Sequence, residues 1–165
     1  MRADPTRLWR LLDLVAKEDR QLAGVTGRLF AGLEGDVAPP WLTSALSTPE
    51  GIDRLESFVG KFSRMQDTLM DKLLPAFLLS VGERTGTALD NLHLAQKLGF
   101  VSDPDAWLAM RLLRNRLVHE YVDDLAELAA ALQRARELTR ELSATHAAIR
   151  RYADQHLGPP LIRPS

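Results

Sequence analysis

Residues 107–121 read WLAMRLLRNRLVHEY and place an arginine, Arg114, five residues before a histidine, His119. Histidine is the side chain whose unperturbed pKa lies closest to neutrality, so it can give or take a proton at cellular pH. Arginine carries a permanent, planar fork of donors that matches phosphate oxygens and a developing negative charge. Attack of a 2′-hydroxyl on the adjacent RNA phosphodiester requires these two services. On a helix, at about 100° per residue, Arg114 and His119 stand about 140° apart. One copy therefore aims them poorly at a single atom. Two copies related by a twofold axis would bring the same patch together from both sides.

The helix that must carry them divides into two faces. Ala106, Met110, Leu113 and Leu117 follow the helical spacing of a core stripe. A second line, Leu108, Leu112, Asn115 and His119, has the same spacing, while Arg116 and Glu120 fall on the solvent side. An ordinary surface helix of a monomer has one apolar stripe and a solvated back. A second stripe that begins apolar and ends in Asn and His suits a subunit contact with a polar site at one end. Arg111 and Arg116 are candidates for guiding RNA, against the plainer alternative of a solvated charged face.

Other chemistries find little support. His93, His146 and His156 stand on separate segments without ligand spacing, so no metal site is expected. There is no Gly-rich phosphate loop, no Gly-x-Ser-x-Gly elbow and no cysteine nucleophile, and no cofactor is expected.

Punctuation along the chain predicts five helical segments. Asp4-Pro5 reads as a cap followed by proline at the first helical position. That helix carries Leu8, Leu11, Leu12 and Val15; Gly24 and Gly27 predict fraying or a kink in its second half, and Gly35 to Pro40 ends it. Thr48-Pro49-Glu50 starts a second helix, with a 3–4 spacing from Ile52 to Phe77 and a bend expected at Pro75. A short helix through Leu89, Leu92 and Ala95 stops at Gly99. Asp103-Pro104 opens the helix of the Arg/His run, to about Tyr121, and a last helix follows Asp123-Asp124 until Gly158-Pro159-Pro160.

Composition sets the class. Leu and Ala supply 50 of 165 residues, and both favour helix because they lose little side-chain entropy there. The fold expected is all-α, an antiparallel bundle of four to five helices dimerising through the helix at 104–121. It occupies residues 1–158 as one domain, with 1–40 an N-terminal helix and linker and 159–165 a flexible tail. A net charge of −1 argues against a general nucleic-acid coating protein, so any RNA contact is local. No stretch approaches about 18 uncharged apolar residues, which excludes a membrane span. Charges run through the apolar part of the N-terminus, which argues against a signal peptide. With no cysteine, the chain suits a reducing, cytoplasmic setting.

The run Arg114-Asn115-Arg-Leu-Val-His119-Glu-Tyr121 resembles the Arg-polar-x-x-x-His signature of HEPN domains, in the Arg-Asn-x-x-x-His-x-Tyr form of the HepT-like toxins. Leu98-Gly99-Phe100, Trp107 and the apolar residues before Arg114 match the family's usual approach to that signature. The resemblance covers residues 49–150 in helix order and is strong over 95–122. It implies a helical bundle whose motif helices meet in a dimer to form a composite, metal-independent endoribonuclease site. Arg114 and His119 would be catalytic and Asn115 would support them. The partner implied is a minimal nucleotidyltransferase (MNT) antitoxin, which transfers AMP to the tyrosine, here Tyr121, and silences the toxin. The other reading is a non-catalytic HEPN subunit that binds a nucleotidyltransferase or its substrate.

Overall fold

In the computed structural model the chain is described over residues 5–119 and 124–158, and over 115–119 as backbone alone. Helix α1 spans Pro5–Leu29, α2 Pro39–Ala45, α3 Pro49–Thr68, α4 Leu74–Ser80, α5 Ala88–Lys97, α6 Pro104–His119 and α7 Leu125–His156. The described residues contain no strand. The all-α bundle expected from composition is what the chain forms.

Most helix ends follow from local chemistry. The Thr48 hydroxyl accepts from Gly51 N at 3.1 Å with Pro49 in the first turn, and Thr87 and Asp90 form a reciprocal capping box. Asp103 accepts from Ala106 N at 3.2 Å to start α6, and Asp124 accepts from Glu127 N at 3.1 Å to start α7. Helix α5 stops at Gly99, whose φ of +88° few side chains tolerate. Gly99 N bonds Gln96 O at 3.0 Å and Phe100 N bonds Ala95 O at 2.8 Å, the paired bonds of a Schellman ending.

Two expectations change and a third gains detail. Helix α1 continues through Gly24 and Gly27 without a break, because Leu22, Val25 and Leu29 stay buried and packing outweighs the glycine penalty. Pro39-Pro40 does not end structure but begins α2, since proline is well placed in a first helical turn. Pro75, where a bend is expected, stands in the first turn of α4, just after a local irregularity. A π-turn at Leu69–Leu73 precedes it, in which Leu74 N bonds Leu69 O five residues back. The extra residue in that turn relieves the crowding a proline ring imposes on the preceding carbonyls.

The helices pack antiparallel around one core. Glu18 meets Thr68 while Phe30 meets Phe58, so α1 runs against α3. Trp9 Nε1 donates to the Gly158 carbonyl at 2.8 Å, and His146 Nε2 lies 3.0 Å from the Leu12 carbonyl, so α1 also runs against α7. Residues 30–38, expected as part of a linker, are tied down. Phe30 and Val37 are buried, Val37 N donates to Gln133 Oε1 at 2.8 Å, and Arg136 donates to the Gly35 carbonyl at 2.9 Å. The tail from Pro159 lies outside the described residues.

Candidate functional site

Helix α6 is gripped from two sides around Trp107, whose ring is fully buried. Toward α3, Gln66 Nε2 donates to the Trp107 carbonyl at 2.6 Å; toward α7, Trp107 Nε1 donates to Glu141 Oε2 at 3.2 Å. Glu141 also accepts from the Ser102 hydroxyl in the segment leading into α6. A helix fixed by both the carbonyl and the indole of one residue cannot rotate about its axis. The described side chains further along α6, through Arg114, inherit that register.

Arg114, two turns on, faces α3. Its Nη1 donates to the Ser63 carbonyl at 3.0 Å and to Gln66 Oε1 at 3.3 Å, and its Nη2 lies 2.7 Å from Asp67 Oδ1. The side chain is 14% exposed. Among the described residues its contacts are all made through Nη1 and Nη2. Arg111 sits beside it, 3.0 Å from the same Asp67 oxygen and paired also with Asp71. Burial works against the Arg111 charge, but the bonds and charges of Asp71 and then Asp67 outweigh it and hold its pKa above the usual value. Arg111, expected as an RNA guide, is thus a paired cation braced against α3 rather than a loose one.

The faces of α6 differ in detail from the periodicity. Met110 is buried, Ala106 and Leu113 are half-buried along a groove against α7, and Trp107 is the deepest residue. Of the second line, Leu108 packs partly against the core, whereas Leu112 is 69% exposed. The α6 backbone stays helical through His119. The side chains of Asn115, Arg116, Leu117 and His119, and all of Tyr121, lie outside what is described. The structure therefore places Arg114 and Arg111 together.

The groove between α6 and α7, about 210 Å³, is lined by Ala106, Met110, Leu113 and Leu138 with Arg134 and Glu137 at its rim. It lies on a different side of α6 from Arg114. Among the described residues no group of three or more His, Asp or Glu is arranged to hold a metal ion. No described helix is long and apolar enough to cross a membrane.

Sequence reasoning missed Ser63, Gln66, Asp67, Asp71 and Glu141. Ser63, Asp67 and Glu141 lie on α3 or α7 faces that read as ordinary polar surface, and Asp71 stands in the π-turn. The one signal available was Gln66 between Met65 and Leu69, a polar residue at a core position. Comparison of the chain with family models, curated proteins and solved structures finds no match.

Proposed function

We propose that this chain is a HEPN-type, HepT-like endoribonuclease toxin that needs no metal and works as a twofold dimer. The observation that carries the reading is Arg114, held by α3 through a carbonyl, an amide and a carboxylate, on the same helix that reaches His119. In the proposed reaction His119 removes the 2′-hydroxyl proton, and the 2′-oxygen bonds to phosphorus. The P–O5′ bond breaks to leave a 2′,3′-cyclic phosphate, and a histidine returns a proton to O5′. Arg114 carries the charge that builds on the phosphoryl oxygens. Asn115 supports the pair, and Arg116 contributes positive charge along the RNA path. An MNT nucleotidyltransferase silences the protein when the Tyr121 hydroxyl, giving up its proton, attacks the α-phosphorus of ATP; the bond to the β-phosphate breaks, pyrophosphate leaves, and AMP stays on the tyrosine. The added phosphate occupies the Arg114 region by charge pairing.

Removing a general acid/base costs about 10² to 10⁴ in rate. Cleavage of a bulk tRNA pool with EDTA present is therefore expected for the wild type and lost in His119→Ala, with far-UV circular dichroism unchanged. Arg114→Lys is expected to fail as well, because a point charge does not replace a bidentate fork. Full activity in either variant, or activity abolished by EDTA, counts against this reaction. Coexpression with an MNT partner is expected to add AMP units by intact mass, and Tyr121→Phe to prevent it.

One observation favours the second reading, a non-catalytic subunit that binds a nucleotidyltransferase. Asp67 and Asp71 already balance the charges of Arg111 and Arg114. Wild-type protein that forms a stable complex with the partner yet never cleaves RNA would establish it.

A further inference from the structure

We infer that Asp67 is a positioning residue that holds the Arg114 guanidinium in its working orientation. Its Oδ1 lies 2.7 Å from Arg114 Nη2 and 3.0 Å from Arg111 Nη2, so one carboxylate oxygen braces two neighbouring guanidiniums. Asp71 reaches Arg111 and not Arg114. The two acids are thus distinguishable: Asp67 acts on the candidate catalytic arginine directly, and Asp71 only steadies its neighbour.

The Arg114 fork is otherwise held by two neutral acceptors on Nη1, the Ser63 carbonyl and Gln66 Oε1. Gln66 is fully buried and spends its amide donor on the Trp107 carbonyl, so its Oε1 is fixed. The Asp67 contact on Nη2 adds a charged second point and holds the group against rotation about its Nε–Cζ bond. Asp67 is 42% exposed but its partner Arg114 only 14%, so the fold of any Asp67 variant is checked by far-UV circular dichroism and Tm beside activity.

The bracing is a property of the chain as described; its part in cleavage rests on the ribonuclease reading above. A misplacement of about 1 Å at a reacting centre costs about 10²-fold in rate. Asp67→Ala, which removes the acceptor that asparagine would keep, is therefore expected to lower kcat about 10²-fold with KM unchanged or lower, since net positive charge rises while transition-state alignment is lost. Asp71→Ala is expected to keep kcat within about threefold of wild type. Guanidinium NMR of the full chain gives a readout that does not need activity. The Arg114 signal, assigned by its loss in Arg114→Lys, is expected to show two distinct Nη environments in wild type and Asp71→Ala and averaged ones in Asp67→Ala. Averaging already present in the wild type, or two environments retained in Asp67→Ala, overturns the inference. Wild-type-like or faster cleavage by Asp67→Ala also overturns it, and faster cleavage would make Asp67 a competitor of the RNA phosphate. If the wild type cleaves no RNA, the ribonuclease reading falls, and the bracing stands or falls on the NMR result alone.

Discussion

Glu18 is the acid that the candidate site does not use. It is 4% exposed on α1, facing Thr68, and its Oε1 has no hydrogen-bond partner among the described residues. Its other oxygen accepts from the Thr68 hydroxyl at 3.1 Å, a proton that Thr68 shares with the Arg64 carbonyl at 2.9 Å. Burial pushes the Glu18 pKa above the ordinary 4.5, and the Thr68 bond and the charges of Arg64 and Lys72 only partly offset it. A carboxyl whose pKa rises on folding holds its proton more tightly in the native chain. Its protonated form adds stability that is complete below 4.5 and lost as pH rises through the folded value. Near pH 7 the group is therefore a liability. Glu18→Met keeps the length and removes the charge, while Thr68 keeps the Arg64 carbonyl. Urea unfolding is expected to show the variant about 1–3 kcal/mol more stable at pH 7, the size of an unsatisfied buried polar group. The difference should shrink at pH 4. A difference independent of pH, or a less stable variant at pH 7, contradicts this account.

At the scale of elements, two glycines that look alike in sequence behave oppositely. Gly51 lies in the first turn of α3 against the end of α2, where an added Cβ would fall 1.7 Å from the Ala45 carbonyl oxygen. That oxygen is backbone and cannot step aside alone. Gly51→Ala is expected to cost on the order of 3 kcal/mol, at the upper end of overpacking, read as a lowered Tm. Gly27 sits in α1 with nothing within 4 Å of its missing Cβ. Gly27→Ala is expected to add about 0.5–1 kcal/mol. Nothing in the one-dimensional pattern separates them, because what matters at Gly51 is the approach of α2. The same limit governs what else was legible. Caps such as Thr48 and Asp103 act within one turn, so start positions could be read from spacing, and Gly99 marked its helix end in the same local way. The double proline at 39–40 was ambiguous, because proline both stops one helix and starts another. The π-turn before Pro75 was invisible, being an answer to crowding rather than a residue preference. In the site, Arg114 was legible by type, but its holders Ser63, Gln66 and Asp67 are about fifty residues away. Which polar residues of one helix meet another depends on register between helices, and periodicity within each helix does not carry it.

At the scale of the molecule, three sides of α6 are accounted for differently. Gln66, Ser63 and Asp67 hold it on the α3 side, and Glu141 holds Trp107 on the α7 side. Leu112 stands away from both, 69% exposed. A single exposed leucine is unremarkable by itself. Its weight comes from the proposed reaction, in which one copy cannot aim both Arg114 and His119, so a twofold contact must form on this remaining side. Light scattering at micromolar concentration is then expected to give about twice the 18.4 kDa chain mass. A twofold contact places a residue near the axis against its own copy, so Leu112→Asp would bring two carboxylates together in an apolar setting. Stranding buried charge costs about 3–5 kcal/mol. For a dimer with Kd of about 1 μM, a loss of about 4 kcal/mol moves Kd to about 1 mM. Leu112→Asp is therefore expected to run as a monomer with unchanged helix content and no cleavage of tRNA. A wild type that cleaves while remaining near 18.4 kDa refutes the composite site. A Leu112→Asp protein that stays dimeric moves the contact to another face of the bundle.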